Sequence, residues 1–464
     1  MSIFSRGISM PIQAKLCALM VIALQICGCG AGSHHATAPA TAPAPSSVAL
    51  AIKAQTGSSS AAAVELTRFP NALSLWLNRP CAVRDTAGGI TLIGMVDRKR
   101  MEVTVGVCSA TRNAVVTIDT LVGSTPDDHL APAIARIPVG PLAGRYLVVY
   151  GQHSGPSWYR LLEIGSDLTP VLSPRFNLED RPSTYMQLIT GPSAIIAVFN
   201  RDLPGKRSIC SRRFDYMAQT WDDAVTAVEA EADTYPYFIA SSRASGQMTM
   251  AFTLHRNAHV HRNREIFWML SRDDGRLWEG LDGRLVAPSG PFPVIRTAQS
   301  ELRLLDADST WTPSVAYAAK IGAEYQVSLL SLSLARGEWT NTTLGDQAAT
   351  ESDYPIGACI VPSSAEPAAD QRVVWIGVGG VMRTAIVRSD GIKLREAQFT
   401  LPTMSASVAF PRIVPRTYPH MLILTDLVFH RDPRDWNSAT VLLTLPETLA
   451  MADNTDMGVV HGAR

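Results

Sequence analysis

The chain has 464 residues, and its 41 lysines and arginines balance its 41 aspartates and glutamates, so the formal net charge is zero. This balance argues against a nucleic-acid-binding protein, which would carry an excess or a stripe of basic residues. Hydrophobic residues make up 46% of the chain and charged residues 18%, which is too apolar for a disordered protein. A polytopic membrane protein is not expected, because the one long apolar run stands at the N-terminus.

The first 28 residues are predicted to be a lipoprotein signal peptide. Arg6 and Lys15 precede an apolar stretch, residues 16–26, that has signal-peptide length and is too short to span a bilayer. The stretch ends in the letters ICGC, which resemble the bacterial lipobox and imply lipidation of Cys29. The expected location is the bacterial cell envelope, on the outer membrane or facing the periplasm. A plain secretory signal is the alternative.

Residues 29–63 are rich in Ala, Pro, Ser, Thr and Gly and are predicted to be a disordered tether. His34 and His35 in this segment are interpreted as linker residues rather than metal ligands. A single domain is expected over residues 64–450, followed by a tail over 451–464. The protein is expected to be a monomer that meets the membrane only through its lipid anchor and binds no nucleic acid.

Four cysteines follow Cys29, namely Cys81, Cys108, Cys210 and Cys359. An exported protein meets an oxidising compartment, so disulfides are possible. Cys81 with Cys108 is the first choice, because the segments between them are typical of neighbouring strands. Four buried free thiols are the alternative.

The body of the chain, from about residue 65, shows strand-like runs and almost no sustained helical periodicity. Apolar and polar residues alternate within the runs, which indicates sheets with one buried face, and turn-forming residues stand between them. Residues 222–232 are rich in Ala and Glu and are expected to form either a helix or an inserted loop. The strand-like runs are 101–108, 114–119, 146–150, 194–199, 247–252, 265–270, 326–330 and 372–377.

So many evenly spaced strands over nearly 400 residues exceed an ordinary sandwich. A propeller accommodates them by radial repetition of four-stranded blades. At about 40–55 residues per blade, the span fits roughly seven blades. We therefore predict an all-β fold, a β-propeller of seven blades with four antiparallel strands each.

One motif supports a propeller directly. Ser271, Asp273, Gly275 and Trp278 match the Asp box, S-x-D-x-G-x-x-W, of bacterial neuraminidase repeats. The Ser and Asp side chains would bond backbone groups of a tight hairpin, Gly would permit a positive φ, and Trp would pack between blades. Residues 214–221 and 334–339 are weaker relatives of the motif. The boxes are structural and specify no chemistry.

Three further pairs of segments resemble one family pattern. With the Asp box, they are similar to the BNR-repeat family that includes ulvan lyases with seven-bladed propellers. The resemblance is specific from about residue 120 to 290 and thin to about 430, where residues 311–315 and 354–357 look like later blade starts. The segments are DDHLAPAI (127–134) with GRYLVVYGQH (144–153), STYMQ (183–187) with VFNR (198–201), and DTYPY (233–237) with FTLHR (252–256).

The resemblance implies a polysaccharide lyase that cleaves an anionic, uronate-containing polysaccharide by β-elimination. Such a reaction needs a cation that neutralises the substrate carboxylate, and Arg suits this through its bidentate fork. It also needs a base for the proton on the neighbouring carbon and an acid for the leaving oxygen, roles open to His and Tyr. No cofactor is required by this chemistry.

The family pattern places roles on specific residues. His129 and His153 are implied as acid–base candidates, and Arg201 and Arg256 as holders of the carboxylate. Tyr185 and Tyr235 are implied as proton donor or partner, with Tyr237 as the substitute for Tyr235. Two features depart from the pattern, namely an insert over residues 138–143 and Leu130, which stands where the family often has Asn.

Each of these residues also has a structural interpretation. The histidines can cap a turn or end a strand, the tyrosines can pack between blades, and the arginines can be surface residues. Their combined spacing favours one shared site. A metal cluster of His255, His259, His261 and Cys210 is a minority hypothesis for a structural zinc. Three neighbouring arginines favour a solvated basic loop there instead.

Two rival functions remain. A sialidase-like glycoside hydrolase shares Asp boxes, but residues 410–415 only loosely resemble a sialidase signature. A non-catalytic, surface glycan-binding propeller would keep aromatics and Arg without a His and Tyr pair within hydrogen-bond reach. Hydrolases with H-E-x-x-H or G-x-S-x-G and P-loop enzymes are excluded, because the sequence contains none of these motifs.

Overall fold

A computed structural model gives the fold. It describes residues 63–74, 77–120, 128–152, 155–231, 233–243, 245–256, 264–334, 336–347, 357–361, 370–388, 390–399, 401, 408–414, 420–428 and 437–445. All of them belong to one compact unit, Ser58–Arg464. The predicted signal peptide, the tether, Cys29 and the C-terminal tail lie outside the described residues.

The described residues form 29 strands and two short 3-10 helices, Asp128–Leu130 and Val378–Gly380. The strands in chain order are β1 (Val64–Pro70), β2 (Ala72–Leu73), β3 (Ala82–Asp85), β4 (Ile90–Asp97), β5 (Glu102–Cys108), β6 (Asn113–Thr120), β7 (Ala133–Arg136), β8 (Tyr146–Gly151), β9 (Gly155–Ile164), β10 (Pro170–Leu172), β11 (Phe176–Thr190), β12 (Ala194–Leu203), β13 (Lys206–Asp215), β14 (Val225–Glu231), β15 (Thr234–Ser242), β16 (Met248–Arg256), β17 (Glu265–Ser271), β18 (Val294–Thr297), β19 (Leu302–Asp308), β20 (Ser314–Ile321), β21 (Glu324–Ser333), β22 (Glu338–Gln347), β23 (Ala358–Val361), β24 (Asp370–Ile376), β25 (Met382–Arg388), β26 (Lys393–Phe399), β27 (Val408–Ile413), β28 (Met421–Val428) and β29 (Asn437–Thr444).

Every sheet is antiparallel, and apart from β1, which pairs with β29, the strands of each sheet are close in sequence. In the part of the chain that the structure describes, four-stranded sheets contain β15–β18, β19–β22 and β23–β26, and a five-stranded sheet contains β2–β6. An eight-stranded sheet contains β7–β10 followed by β11–β14, joined through β9 and β11. A last sheet has the order β1-β29-β28-β27. All eight of the strand-like runs identified in the sequence are strands, and the all-β expectation is confirmed.

The first and last parts of the domain close on each other. β1 pairs with β29 in antiparallel register, from Val64 opposite Thr444 to Pro70 opposite Ala439. The inner strands also meet in succession, since β7 contacts β11, β11 contacts β15, β15 contacts β19, β19 contacts β23, and β23 contacts β27. Radially repeated antiparallel sheets with such a closure are a propeller arrangement. Seven blades stay a prediction.

The core lies between neighbouring sheets. One buried cluster joins Ile196 of β12 to Phe238 of β15, Met250 of β16 and Trp278 of the Asp box. Because each sheet buries residues on both faces against its neighbours, strands such as Ala194–Leu203 are apolar at consecutive positions.

The Asp box forms the hairpin that the motif predicts. Ser271 Oγ donates to Asp273 Oδ1 at 2.9 Å and accepts from the Gly275 amide at 2.9 Å. Asp273 Oδ1 also accepts from the Leu277 amide at 2.8 Å, and Gly275 has φ +83°. Trp278 is buried, with 3% exposure.

One expectation over residues 222–232 is wrong. Neither a helix nor an inserted loop is formed, because β14 occupies Val225–Glu231 and pairs with β13 from Lys206 opposite Glu231 to Ser211 opposite Val225. The helix propensity of Ala and Glu is worth only tenths of a kcal/mol per residue. Burial of Val228 and pairing along a full strand outweigh it.

All four cysteines within the described residues are buried and free, so the disulfide expected between Cys81 and Cys108 is not formed. Burial raises the pKa of the Cys108 thiol to about 12, although the nearby Arg84 lowers it. A thiol of this kind is unreactive, because the thiolate is the nucleophile.

Candidate functional site

His129 lies in the short 3-10 helix Asp128–Leu130, immediately before β7. Its side chain is partly exposed. The Nε2 atom lies 3.3 Å from the Tyr185 Oη atom, and the two ring centroids are 5.1 Å apart. Two predicted catalytic groups, 56 residues apart in sequence, therefore lie within reach of proton transfer.

Tyr185 occupies an irregular position in β11. The pairing of β11 with β12 shifts register between Thr184 and Gln187, and Tyr185 has φ +60°. A left-handed conformation is unfavourable for a bulky aromatic residue and persists only where the surroundings hold it. Such bulges re-aim a side chain at a site, and here the bulge directs the phenol to His129.

Two further rings extend the contact. The Tyr237 ring lies 5.5 Å from that of Tyr185, and the His255 ring lies 4.8 Å from that of Tyr237, edge to face. His255 is buried, with 4% exposure, and its Nε2 lies 3.1 Å from Thr253 Oγ1. We call His129, Tyr185, Tyr237 and His255 the ring cluster.

The structure distinguishes Tyr235 from Tyr237, the two tyrosines that the family pattern offered for one role. The Tyr235 ring lies under the guanidinium of Arg207, whose Cζ is 3.4 Å from the ring centroid. Tyr237, two positions along β15, instead contacts Tyr185 and His255. The geometry therefore favours the substitute, Tyr237, as the member of the site.

The two predicted arginines differ in charge environment. Arg201 is buried, and its Nη2 atom forms a very short ion pair with Glu179. Because Glu179 neutralises it, Arg201 is not a free cation, although its buried Nε has no partner among the described residues. Arg256 ends β16, opposite Thr234 of β15, and is exposed. Of the two, Arg256 offers the more accessible positive charge.

Several predicted site residues lie outside the described residues, namely His153, His259 and His261. The described residues contain no group of three or more His, Cys, Asp or Glu that could hold a metal ion. Cys210 lies beside Thr226, with 3.8 Å between Sγ and Oγ1, and burial raises the pKa of its thiol. Within the described residues, no helix has the length and apolarity needed to cross a membrane.

Sequence reasoning missed the role of His255 in the ring cluster and the counter-ion of Arg201. The signal for His255 was present, because it lies in the segment FTLHR that carries the family resemblance. The Glu179 partnership had no local signal, because Glu179 and Arg201 are 22 residues apart on neighbouring strands.

Comparison with known proteins adds a family to this geometry. Residues 93–314 match the model described as a BNR repeat-containing family member. The chain carries a BNR-repeat region. This region contains the whole described ring cluster and the Asp box, and it is wider at both ends than the specific part of the resemblance seen in the sequence. No curated protein matches the chain.

Solved structures agree on the fold. The chain resembles an ulvan lyase of polysaccharide lyase family PL25, bound to -[GlcA(1-4)Rha3S]-, with 12% identity, a TM-score of 0.58, and coverage of 78% of this chain and 92% of the other. A second structure of a PL25 ulvan lyase gives 12% identity, a TM-score of 0.57, and coverage of 79% and 92%. A lectin, BP39L from Burkholderia pseudomallei, gives 13% identity, a TM-score of 0.48, and coverage of 79% and 97%. The two lyase likenesses support the propeller fold.

Proposed function

We propose that this protein is a carbohydrate-active enzyme, a polysaccharide lyase that cleaves a uronate-containing glycan by β-elimination. The observation that carries the proposal is the 3.3 Å approach of His129 Nε2 to Tyr185 Oη, with Tyr237 in contact. An imidazole and a phenol at this distance form an acid–base pair that can remove and deliver a proton. The propeller fold and the BNR-repeat region are compatible with this activity.

The reaction assigns a task to each group. Arg256 binds the uronate carboxylate and stabilises the negative charge that develops when the neighbouring carbon loses its proton. The His129 and Tyr185 pair takes that proton, and one member of the ring cluster protonates the leaving oxygen. A C–H and a C–O bond break, a C=C bond forms, and a hydroxyl is released on the leaving sugar. No electron acceptor is consumed.

The positive charge of Arg256 indicates the class of glycan. The exposed guanidinium of Arg256 suits a carboxylate, and the ulvan lyase with the similar fold is bound to a ligand that contains glucuronate. A uronate polysaccharide therefore accounts best for the site.

The assay follows the unsaturated product by its ultraviolet absorbance. The domain is incubated with uronate polysaccharides, and the rates of the native protein, His129→Ala, Tyr185→Phe and Tyr237→Phe are compared. We expect at least about a hundredfold loss in each variant, the scale of a missing acid–base group. Tyr216→Phe is the matched control, because its hydroxyl donates to Gly191 O at 2.9 Å in a different part of the domain.

Other outcomes identify the rivals. Reducing ends that form without the ultraviolet absorbance indicate a sialidase-like glycoside hydrolase. Binding of the polysaccharide without new ends indicates a non-catalytic glycan-binding propeller. Comparison of Tyr235→Phe with Tyr237→Phe decides which tyrosine acts, and a loss confined to Tyr235→Phe would contradict the geometric choice.

We also propose that the protein is exported and anchored by lipid at Cys29, as its N-terminal sequence indicates. Radiolabelled fatty acid should enter the native chain in a bacterial host and should not enter Cys29→Ser. Equal labelling of the two proteins would contradict the anchor.

A further inference from the structure

The ring cluster is assembled from four separate parts of the chain, and buried amide side chains hold two of them, the turn of His129 and the strand of Tyr237. The parts are the turn that carries His129, the bulge of β11 that carries Tyr185, β15, which carries Tyr237, and β16, which carries His255. The bridging side chains form direct hydrogen bonds to backbone groups beside the site residues. They are Asn78, Gln187 and Asn200.

Asn78 holds the turn of His129. It is 1% exposed, and its Nδ2 donates to the carbonyl of His129 at 2.9 Å and to that of Ala131 at 2.6 Å. Both protons of the amide are therefore used on two carbonyls that flank Leu130. This fixes the end of the 3-10 helix from which the imidazole projects.

Gln187 and Asn200 hold the strand of Tyr237. Gln187 is 1% exposed, its Nε2 donates to Phe238 O at 2.8 Å, and its Oε1 accepts from the Ala240 amide at 2.8 Å. Asn200 Nδ2 donates to Pro236 O at 2.6 Å. The backbone of Tyr237 is thus secured on both sides from the sheet that carries Tyr185.

Residues 77–80, between β2 and β3, connect the turn of His129 to the part of β11 that follows Tyr185. Arg79 donates its amide to Met186 O at 3.0 Å and accepts from the Leu188 amide at 2.6 Å, on either side of Gln187. The side chain of Arg79 forms an ion pair with the buried Asp306. The left-handed Tyr185 is therefore followed directly by a stretch of β11 that is fixed from outside its own sheet.

Two details separate this arrangement from ordinary stabilisation. Asn78 Oδ1 and Asn200 Oδ1 are buried and have no partner among the described residues. A buried acceptor without a partner costs stability, whereas an apolar side chain would leave the bonded backbone carbonyls without a donor. What these amides provide is a directed donor at a defined place.

We propose that Asn78 and Gln187 are positioning residues, which set the His129 to Tyr185 and the Tyr185 to Tyr237 spacings respectively, with Asn200 in support of Gln187. The proposal rests on the lyase function proposed above. Proton transfer depends on sub-ångström placement of the reacting groups, so a loosened register lowers the rate of the chemical step more than it weakens binding.

The test compares Asn78→Ala and Gln187→Met with Gln371→Met. Gln371 is the matched control, because it is also a buried amide, 7% exposed, whose Nε2 donates to Thr312 O at 3.3 Å outside the site. For each variant, kcat and KM on a uronate polysaccharide are measured together with thermal unfolding. We expect kcat to fall about tenfold or more in the two site variants, with KM within about twofold. The control should unfold earlier without this loss.

A second readout needs no turnover. The ring resonance of His129, assigned in protein with carbon-13-labelled histidine by its absence in His129→Ala, should move in Asn78→Ala and Gln187→Met and stay in place in Gln371→Met. Unchanged kcat and resonance in the site variants, with lowered stability alone, would overturn the proposal. A native protein without turnover overturns the lyase function, and the resonance then decides the positioning role by itself. If Asn78→Ala does not fold, Gln187→Met alone decides.

Discussion

Asp308, at the end of β19, is expected to weaken the folded state at neutral pH. Burial raises the pKa of its carboxyl to about 6, against an ordinary value of 3.8, and the Asp306 carboxylate raises it further, whereas a bond from the Thr310 hydroxyl at 2.8 Å and the Arg79 guanidinium lower it. The folded state thus holds this proton more tightly than the unfolded chain. The contribution of the group to stability is complete below pH 3.8 and is lost as the pH rises through about 6.

The magnitude follows from the two pKa values. They differ by about 2, and each step of one in pKa corresponds to about 1.4 kcal/mol, so the neutral-pH penalty is at most about 3 kcal/mol. Part of the Asp308 surface is accessible, and solvent lowers this figure. Asp308→Asn keeps the shape and the acceptor for Thr310 but carries no charge, so it should recover much of the penalty.

Urea unfolding of the native protein and Asp308→Asn at pH 4 and pH 7 measures the effect. The variant should be more stable at pH 7, and the difference should shrink towards pH 4. Asp85→Asn is the control of opposite sign. Burial opposes ionisation of Asp85, but bonds from Tyr146 and backbone amides together with Arg136 outweigh it and lower its pKa. That variant should lose stability at pH 7 and lose less as the pH falls. A difference for Asp308→Asn that is equal at both pH values would refute the reasoning.

Two further predictions concern stability. Glu179→Gln leaves the buried Arg201 without its counter-ion and should cost about 3–5 kcal/mol in urea unfolding, and a loss below about 1 kcal/mol would contradict the ion pair. Trp278→Ala should cost about 3–5 kcal/mol through the cavity it leaves, whereas Ser271→Ala should cost about 1–3 kcal/mol through the amide of Gly275 that loses its acceptor. An unchanged kcat in folded protein is expected for both Asp-box variants.

The sequence was most informative where the determinants are local. The Asp box could be predicted in detail, because the bonds from Ser271 and Asp273 reach no further than four residues along the chain. The strands could be predicted from their short apolar runs between turn-forming residues, but the expected single buried face is wrong for strands such as Ala194–Leu203, which are buried at consecutive positions. The segment that forms β14 could not, because its residues favour a helix in isolation and only pairing with β13 makes it a strand.

The sequence predicted two residues that the structure brings into contact, and it did not predict the contacts around them. His129 and Tyr185 follow from the family pattern, and the structure brings them together. The choice between Tyr235 and Tyr237 depends on Arg207, which covers the Tyr235 ring from β13. Asn78 has no motif around it, and its importance appears only when residues 77–80 lie beside β11.

The acid–base role of Tyr185 is tested by one variant that separates binding from chemistry. Tyr185→Phe removes a single oxygen atom at the contact with His129. Polysaccharide binding by calorimetry and formation of the unsaturated product by absorbance are measured on the same sample of the folded variant. We expect binding to be retained while product formation is lost. Product formation at the native rate in Tyr185→Phe would contradict this role.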